Sequence, residues 1–448
     1  MKIRQYDYLF ASFSVIFSSG VLFFYNLYVK KYVLPYEYGI FTTANLFLLY
    51  LGYTQFGVLN SFNRDYPRML GEGDVETASH TRNVVFTYLM IISIICVVGG
   101  GVLVIFLSKL NLIIKILGVG IFVNSVLVGM NYMVTFLDVQ RKSEGKVISA
   151  SFIVIVKSLA LFIVGYFLVR QYTYYGLFIA LLISSLIPII LNTKQLFKFR
   201  VAFDSKMIAS MIQSGLPLLI TSLIWTIMMS IDKLVILRFM TMTELGIYST
   251  ALMGFSAVVL VPNSFSQIFY IKMSIKYGES GRSSVLMKYA DYFTLIISVC
   301  SAYVALIAYY ALPLIVNKFI PNYVDGVPAT KILILGVSLF STTVMYSNIF
   351  SVLKLNKELL KYTSMLCVFN LVFSTGLVLL LGKEIEYVAI GTSLAYGCYS
   401  LILIVRLAKL LKRSMPLMLL HSWVPVLTIF FPTVVISKFF TSAYLEIF

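Results

Sequence analysis

The stretch "EYGIFTTANLF" (Glu37–Phe47) is written again, with variations, as "ELGIYSTALMG" (Glu244–Gly254). Glu37, Gly39, Ile40, Thr43 and Ala44 meet Glu244, Gly246, Ile247, Thr250 and Ala251, while Phe41 meets Tyr248 and Thr42 meets Ser249. A shorter echo follows, "LNSFNRD" from Leu59 and "PNSFSQI" from Pro262. Repetition half a chain apart is the mark of a duplicated unit, and its surroundings decide what kind of unit was duplicated.

Those surroundings are apolar. Of 448 residues, 60% are hydrophobic and 12% charged, with a mean hydropathy of +0.94. Apolar runs of roughly 20 residues recur, the length needed to cross about 30 Å of hydrocarbon as helix. The short alternating segments of a membrane barrel are absent from the sequence. The expected class is therefore an all-α polytopic membrane protein. Spans are expected near 8–29, 38–60, 84–107, 112–137, 148–169, 174–193, 214–238, 245–271, 291–316, 329–353, 362–381 and 386–408. A further apolar stretch, 416–438, is expected as a C-terminal apolar helix that is either a thirteenth span or, through Pro425 and Pro432, broken or interfacial.

The repeats fall at spans 2 and 8, six apart. Six is even, so both halves start on the same side, giving two parallel six-helix lobes around a central cavity. The expected division is 1–200, 201–412 and an additional segment 413–448. Such lobes, rocking about a midplane site, describe alternating access.

The net charge of +17 would suggest nucleic acid in a soluble chain. Here its distribution explains it. With the N-terminus placed in the cytoplasm, 23 of the 35 lysines and arginines fall in cytoplasmic segments and 10 outside, which sets that orientation and removes any need for nucleic acid. The first apolar run lacks a cleavage site and reads as the first helix. The two longest cytoplasmic segments, 61–83 and 272–290, mix charge with apolar residues and are expected to lie as interfacial helices. Four scattered cysteines and two distant histidines make neither a disulfide framework nor a metal site. No Gly-rich phosphate loop is present, so direct ATP drive is not expected.

The stretch 37–74, with its acid, glycine and aromatic at the start of span 2, Gly57, Asn60, Asn63 and Arg64 at its exit, and the turn Gly71, Gly73, Asp74, resembles the polysaccharide flippases of O-antigen and capsule pathways (the Wzx type), within the MATE-like multidrug/oligosaccharidyl-lipid/polysaccharide exporter superfamily. The stretch 231–251 is similar to that family's second-half signature. The resemblance implies a transporter, not an enzyme, in the bacterial plasma (inner) membrane. It would move a polyprenyl-pyrophosphate-linked oligosaccharide from the cytoplasmic to the outer leaflet, alongside membrane lipids and the polymerase and glycosyltransferases of its pathway. Alternatives are a multidrug exporter of the same superfamily, and a membrane polysaccharide polymerase or glycosyltransferase.

Lys157, in the middle of span 5, is the strongest candidate for binding an anionic cargo, because a cation at that depth is costly unless it faces a cavity or a partner. A structural pairing with a neighbouring helix is the competing reading. Asn60, Asn63 and Arg64 share a helix face and are candidates for a polar cytoplasmic gate, against ordinary capping and positive-inside charge. Asn263 and Gln267 are their counterparts in span 8. Asp232 is the carboxylate set well inside a span and the candidate for ion coupling, by H+ or Na+; beside it, Lys233 is a candidate substrate contact or a snorkelling lysine. Asn124 and Asn131 are expected to bond between helices. No metal site and no other cofactor are expected.

Overall fold

The computed structural model describes residues 5–109, 115–193, 199–280 and 283–445, with side chains undescribed at 5–9, 12, 431 and 433–445 and at several positions between 261 and 290. Within them the chain forms fifteen α-helices and one 3-10 turn, with no strand. Ten helical segments are long and apolar enough to cross a membrane. This is an integral, multi-pass helical protein, as the composition dictates. Two compact units divide the chain, Met1–Thr226 and Ile227–Phe448.

The first unit contains α1 (Gln5–Tyr32), α2 (Pro35–Leu51), α3 (Val58–Glu72), α4 (Val75–Lys109), α5 (Lys115–Ser143), α6 (Val147–Leu191) and most of α7 (Ser205–Met228). Within it α1 lies against α6, and α5 packs on both α4 and α2. α6 holds two expected spans, joined across a kink at Thr173, whose φ is +43°. The second unit continues with α8 (Ile231–Phe239), α9 (Met242–Ser280), α10 (Ser283–Phe319), the 3-10 turn Pro321–Gly326, α11 (Val327–Ser341), α12 (Thr343–Val352), α13 (Asn356–Leu381), α14 (Ile385–Leu410) and α15 (Met415–Leu445). α13 packs on α14, α14 on α11, and α15 on α10.

Three expected spans are interrupted. Span 2 stops at Leu51 and turns through residues 52–57 before α3 begins. The turn ends at Gly57, whose φ of +89° is a left-handed conformation that glycine adopts without a Cβ penalty. Span 7 breaks at Met229–Ser230, between α7 and α8, and span 10 breaks at Thr342. The expectation for 61–83 is met in part, because α3 is a separate helix burying Phe62 and Tyr66 while Arg64 and Arg68 stay outside. The expectation for 272–290 is corrected: α9 runs on without interruption to Ser280 and α10 is already helical from Ser283. No glycine or proline stands between Ile271 and Tyr277 to end α9 where the apolar run ends. The stretch 416–438 falls within one continuous helix, α15, despite its prolines.

The sequence echo has a local cause. Glu37 and Glu244 each stand three residues into their motif's helix entry and bond back to it. Glu37 Oε2 accepts from the Leu34 backbone N–H at 3.3 Å. Glu244 Oε2 accepts from the Thr241 N–H at 2.6 Å and its hydroxyl at 2.9 Å, while the Glu244 N–H donates to Thr241 Oγ1 at 3.4 Å. The second is a complete capping box, and such caps are worth about 1 kcal/mol. Replacing Glu244 with Ala is therefore expected to lower stability by about 1 kcal/mol, read as the apparent Tm of purified protein in detergent.

Candidate functional site

The break between α7 and α8 sets Asp232 in the first turn of α8, where the helix N-terminus favours an anion. The side chain is buried. Its Oδ2 accepts from the Tyr248 hydroxyl at 2.7 Å. Its Oδ1 accepts from Asn370 Nδ2 at 2.9 Å and the Thr392 hydroxyl at 2.8 Å. Asn370 Oδ1 lies 3.0 Å from Thr392 Oγ1 and 2.9 Å from Ser374 Oγ, which lies 3.4 Å from the Val388 carbonyl oxygen. Four helices of the second unit thus converge: α8 brings Asp232, α9 Tyr248, α13 Asn370 and Ser374, and α14 Thr392 and Val388. Backbones approach closely enough because Gly391 has no side chain; an added Cβ would sit 2.5 Å from the Ser374 backbone.

Asp232 Oδ1, Thr392 Oγ1, Asn370 Oδ1, Ser374 Oγ and the Val388 carbonyl form a linked set of hard oxygen atoms around one carboxyl group, which when ionised gives the set one negative charge. A proton or a monovalent hard cation matches that charge. Soft and nitrogen-seeking metals do not match it, and among the described residues there is no group of three His, Cys, Asp or Glu side chains placed to hold a metal ion.

Register connects this site to the first unit. α1 ends at Tyr32 and α8 at Phe239, and the same 207-residue offset that relates Glu37 to Glu244 relates these ends. At that offset Tyr25 stands where Asp232 stands. Tyr25 is buried against Gly165, whose added Cβ would fall 2.4 Å from its ring. Its counterpart for Tyr248 is Phe41, which packs edge-on to Phe178 at 5.3 Å. Duplication has left the carboxylate cluster in one unit and an aromatic contact in the other.

The first unit carries cations instead. Lys157 Nζ donates to Asn131 Oδ1 at 3.0 Å, between α6 and α5. No carboxylate forms an ion pair with it among the described residues. A neutral amide orients the ammonium without cancelling its charge. Lys30, just past the expected end of span 1, is buried in α1, with its ammonium 5.0 Å from the Tyr38 ring centre. Asn124 donates to the Ala44 carbonyl oxygen at 2.7 Å, so both asparagines of α5 bond between helices.

The remaining sequence candidates are dispersed. Arg64 is half exposed and holds Asp65 in a fork, Nε–Oδ1 2.6 Å and Nη2–Oδ2 2.8 Å. The guanidinium's hydrogen bonds hold the Asp65 carboxyl below its ordinary range. Asn60 accepts from Gln55 Nε2 at 3.0 Å, and Asn63 is exposed. Lys233 is half-buried beside Asp232 and makes no ion pair among the described residues. Asn263 is exposed, and the Gln267 side chain lies outside the described residues. Sequence reasoning missed Asn370, Ser374 and Thr392. Asn370 is the one amide in its apolar run, 362–381, which was the available signal.

Comparison with solved structures places this architecture. A multidrug resistance MATE family transporter of the MOP superfamily, in an inward-facing conformation, superposes with a TM-score of 0.73 at 14% identity, covering 87% of this chain and 94% of its own. The lipid II flippase MurJ, inward closed, gives 0.71 at 16% identity, covering 95% and 93%. The fold is that of the MOP-superfamily transporters. A third MOP-superfamily structure, from Pyrococcus furiosus and described as having a binding pocket of reversed polarity, gives 0.63 at 15% identity, covering 91% of this chain and 96% of its own. No family model matches the sequence, and no curated protein matches it.

Proposed function

We propose that this protein is an alternating-access flippase whose cargo is an anionic lipid-linked oligosaccharide built on polyprenyl pyrophosphate, driven by a monovalent cation. The observation that carries the cargo class is Lys157: an ammonium on a span, oriented by a neutral amide, with no carboxylate paired to it among the described residues. An ionisable group at that depth is by default a site of function, and its sign suits pyrophosphate. A cavity for cationic drugs calls for acids, and Asp232 is committed to its own buried cluster. Arg64, Asn60, Asn63 and Lys233 are secondary cargo contacts in this reading, with Arg64 able to meet an anion only when Asp65 releases it. A lipid II flippase and multidrug exporters share the fold, which makes both cargo classes structurally admissible.

Asp232 is proposed as the coupling site, taking up H+ or Na+. The oxygens around it would hold a sodium ion or surround a protonated carboxyl; either event removes the net charge and changes how Tyr248, Asn370 and Thr392 bond. That gives the ion different free energies in different arrangements of the helices, which coupling requires.

The test is reconstitution. Protein in sealed vesicles is given a polyprenyl-pyrophosphate-linked oligosaccharide and, separately, a cationic dye, and transfer of each is followed with a membrane-impermeant reagent. Transfer of the lipid-linked sugar without the dye supports the proposal. Transfer of the dye alone overturns it in favour of an exporter.

A further inference from the structure

The segment joining α6 to α7 has an unusual distribution of side chains. The described stretch "FRVAFDSK" (Phe199–Lys206) has no regular secondary structure over 199–204 before α7 starts at Ser205. Two of its residues are pinned to the first unit. Phe199 packs on Phe86 at 4.9 Å and on Phe136 at 5.4 Å, with the Arg82 guanidinium 5.2 Å from its ring centre. The Ala202 N–H donates to Thr87 Oγ1 at 3.0 Å.

The residues beside these pins face outward, and they are the wrong residues for water alone. Val201 is 87% exposed and Phe203 66% exposed. Arg200 and Lys206 are exposed beside them. The nearby acid is spoken for: Asp204 Oδ1 accepts the Met207 N–H at 3.0 Å, capping α7, and Oδ2 faces His80 at 3.8 Å. Those contacts hold the Asp204 carboxyl below its ordinary range. Neither Arg200 nor Lys206 forms an ion pair among the described residues. The helices on either side, α6 and α7, are apolar enough to span a membrane. Just before it, Ile190 and Leu191 at the end of α6 are also exposed.

From this geometry we propose that residues 200–206 form a binding surface for anionic phospholipid on the cytoplasmic leaflet. Val201 and Phe203 enter the headgroup–acyl boundary, and Arg200 and Lys206 meet lipid phosphates. An apolar side chain next to a cation is the combination that binds an interface, because burial and surface potential act together. Pinning by Phe199 and Ala202 means that little ordering is needed on contact. This surface is separate from the cargo and ion sites and does not depend on what the protein transports.

The test uses the full chain in nanodiscs. Phe203→Cys carries an environment-sensitive fluorophore, and the discs contain phosphatidylcholine alone or with a third phosphatidylglycerol, each with brominated acyl chains as quenchers. The proposal expects a blue-shifted emission and stronger quenching when the brominated chains are on phosphatidylglycerol. R200A and K206A should each reduce the preference for phosphatidylglycerol about fivefold. S79A, on α4, should leave that preference unchanged. A probe that stays accessible to aqueous iodide in both discs overturns the proposal. So does quenching equal in the two lipids and indifferent to R200A and K206A, which would show apolar insertion without lipid selection.

Discussion

Asp232→Leu is expected to abolish cation-dependent transport and to remove the stabilisation that the cation confers. Three donors point at the carboxylate from three helices. Leucine leaves the Tyr248, Asn370 and Thr392 polar groups without their acceptor in a buried site. Breaking a buried charged cluster from one side costs about 3–5 kcal/mol in soluble proteins. Interhelical hydrogen bonds in membranes average nearer 0.6 kcal/mol each, so the lower end of that range is the better expectation here. Asp232→Asn separates the two effects, since it keeps the shape and much of the bonding while removing the charge. For the unsubstituted protein, raising sodium to a hundred times its dissociation constant should stabilise the fold by about 2.7 kcal/mol. Asp232→Asn should show no such gain. If the coupling ion is H+, the sodium response is absent from the start and transport instead follows the proton gradient. A sodium-dependent Tm that survives in Asp232→Asn would remove this cluster from the coupling step.

Gly215→Val is expected to be the most damaging single change in the first unit. Gly215 of α7 and Gly57, at the start of α3, meet backbone to backbone: a Cβ added at Gly215 would lie 2.0 Å from the Gly57 carbonyl oxygen. Bonds on either side keep that contact from opening. The Tyr53 hydroxyl donates to the Ser222 carbonyl oxygen at 2.9 Å, Ser61 and Ser214 hydroxyls meet at 2.8 Å, and Arg64 Nη1 reaches the Ser214 carbonyl oxygen at 3.5 Å. Overpacking typically costs 1–3 kcal/mol, and the rigidity of two backbones puts this case at about 3 kcal/mol or above. Even Gly215→Ala should lower the apparent Tm of detergent-purified protein. Gly57→Ala combines the same clash with a left-handed backbone that costs an L-residue roughly 1–2 kcal/mol. Unchanged Tm values for both alanine variants would show that the segments part easily.

Much of the architecture was legible because hydrophobic length is a direct physical requirement of the bilayer. The echo at Glu37 and Glu244 likewise reported something local and strong, a carboxylate closing a helix entry. What could not be read were the interruptions. The turn after Leu51 depends on Gly57 tolerating φ +89°, and a glycine in an apolar run looks the same whether its helix continues or stops. The break before Asp232 has neither proline nor glycine within it. The site was half legible for a related reason. A lone charge in an apolar run, Asp232 or Lys157, is conspicuous because burying it is expensive. Asn370, Ser374 and Thr392 are inexpensive in a helix that bonds its own backbone, and only tertiary packing brings them to one carboxylate. The burial of Lys30 could not be read either, because it closes a span, where a lysine ordinarily reaches water; here it lies against the Tyr38 ring.

The role of Lys157 is tested by leaflet transfer in vesicles containing Lys157→Gln, Lys157→Arg or unsubstituted protein. Glutamine retains a hydrogen-bond donor for Asn131 and loses the charge; arginine keeps the charge and changes the shape. Lys157→Gln is expected to fold, with a Tm within a few degrees of the original, and to transfer a polyprenyl-pyrophosphate-linked oligosaccharide at least tenfold more slowly, about 1.4 kcal/mol of lost cargo stabilisation. Lys157→Arg should retain part of the rate. Transfer by Lys157→Gln at the unsubstituted rate would show that this cation does not hold an anionic cargo.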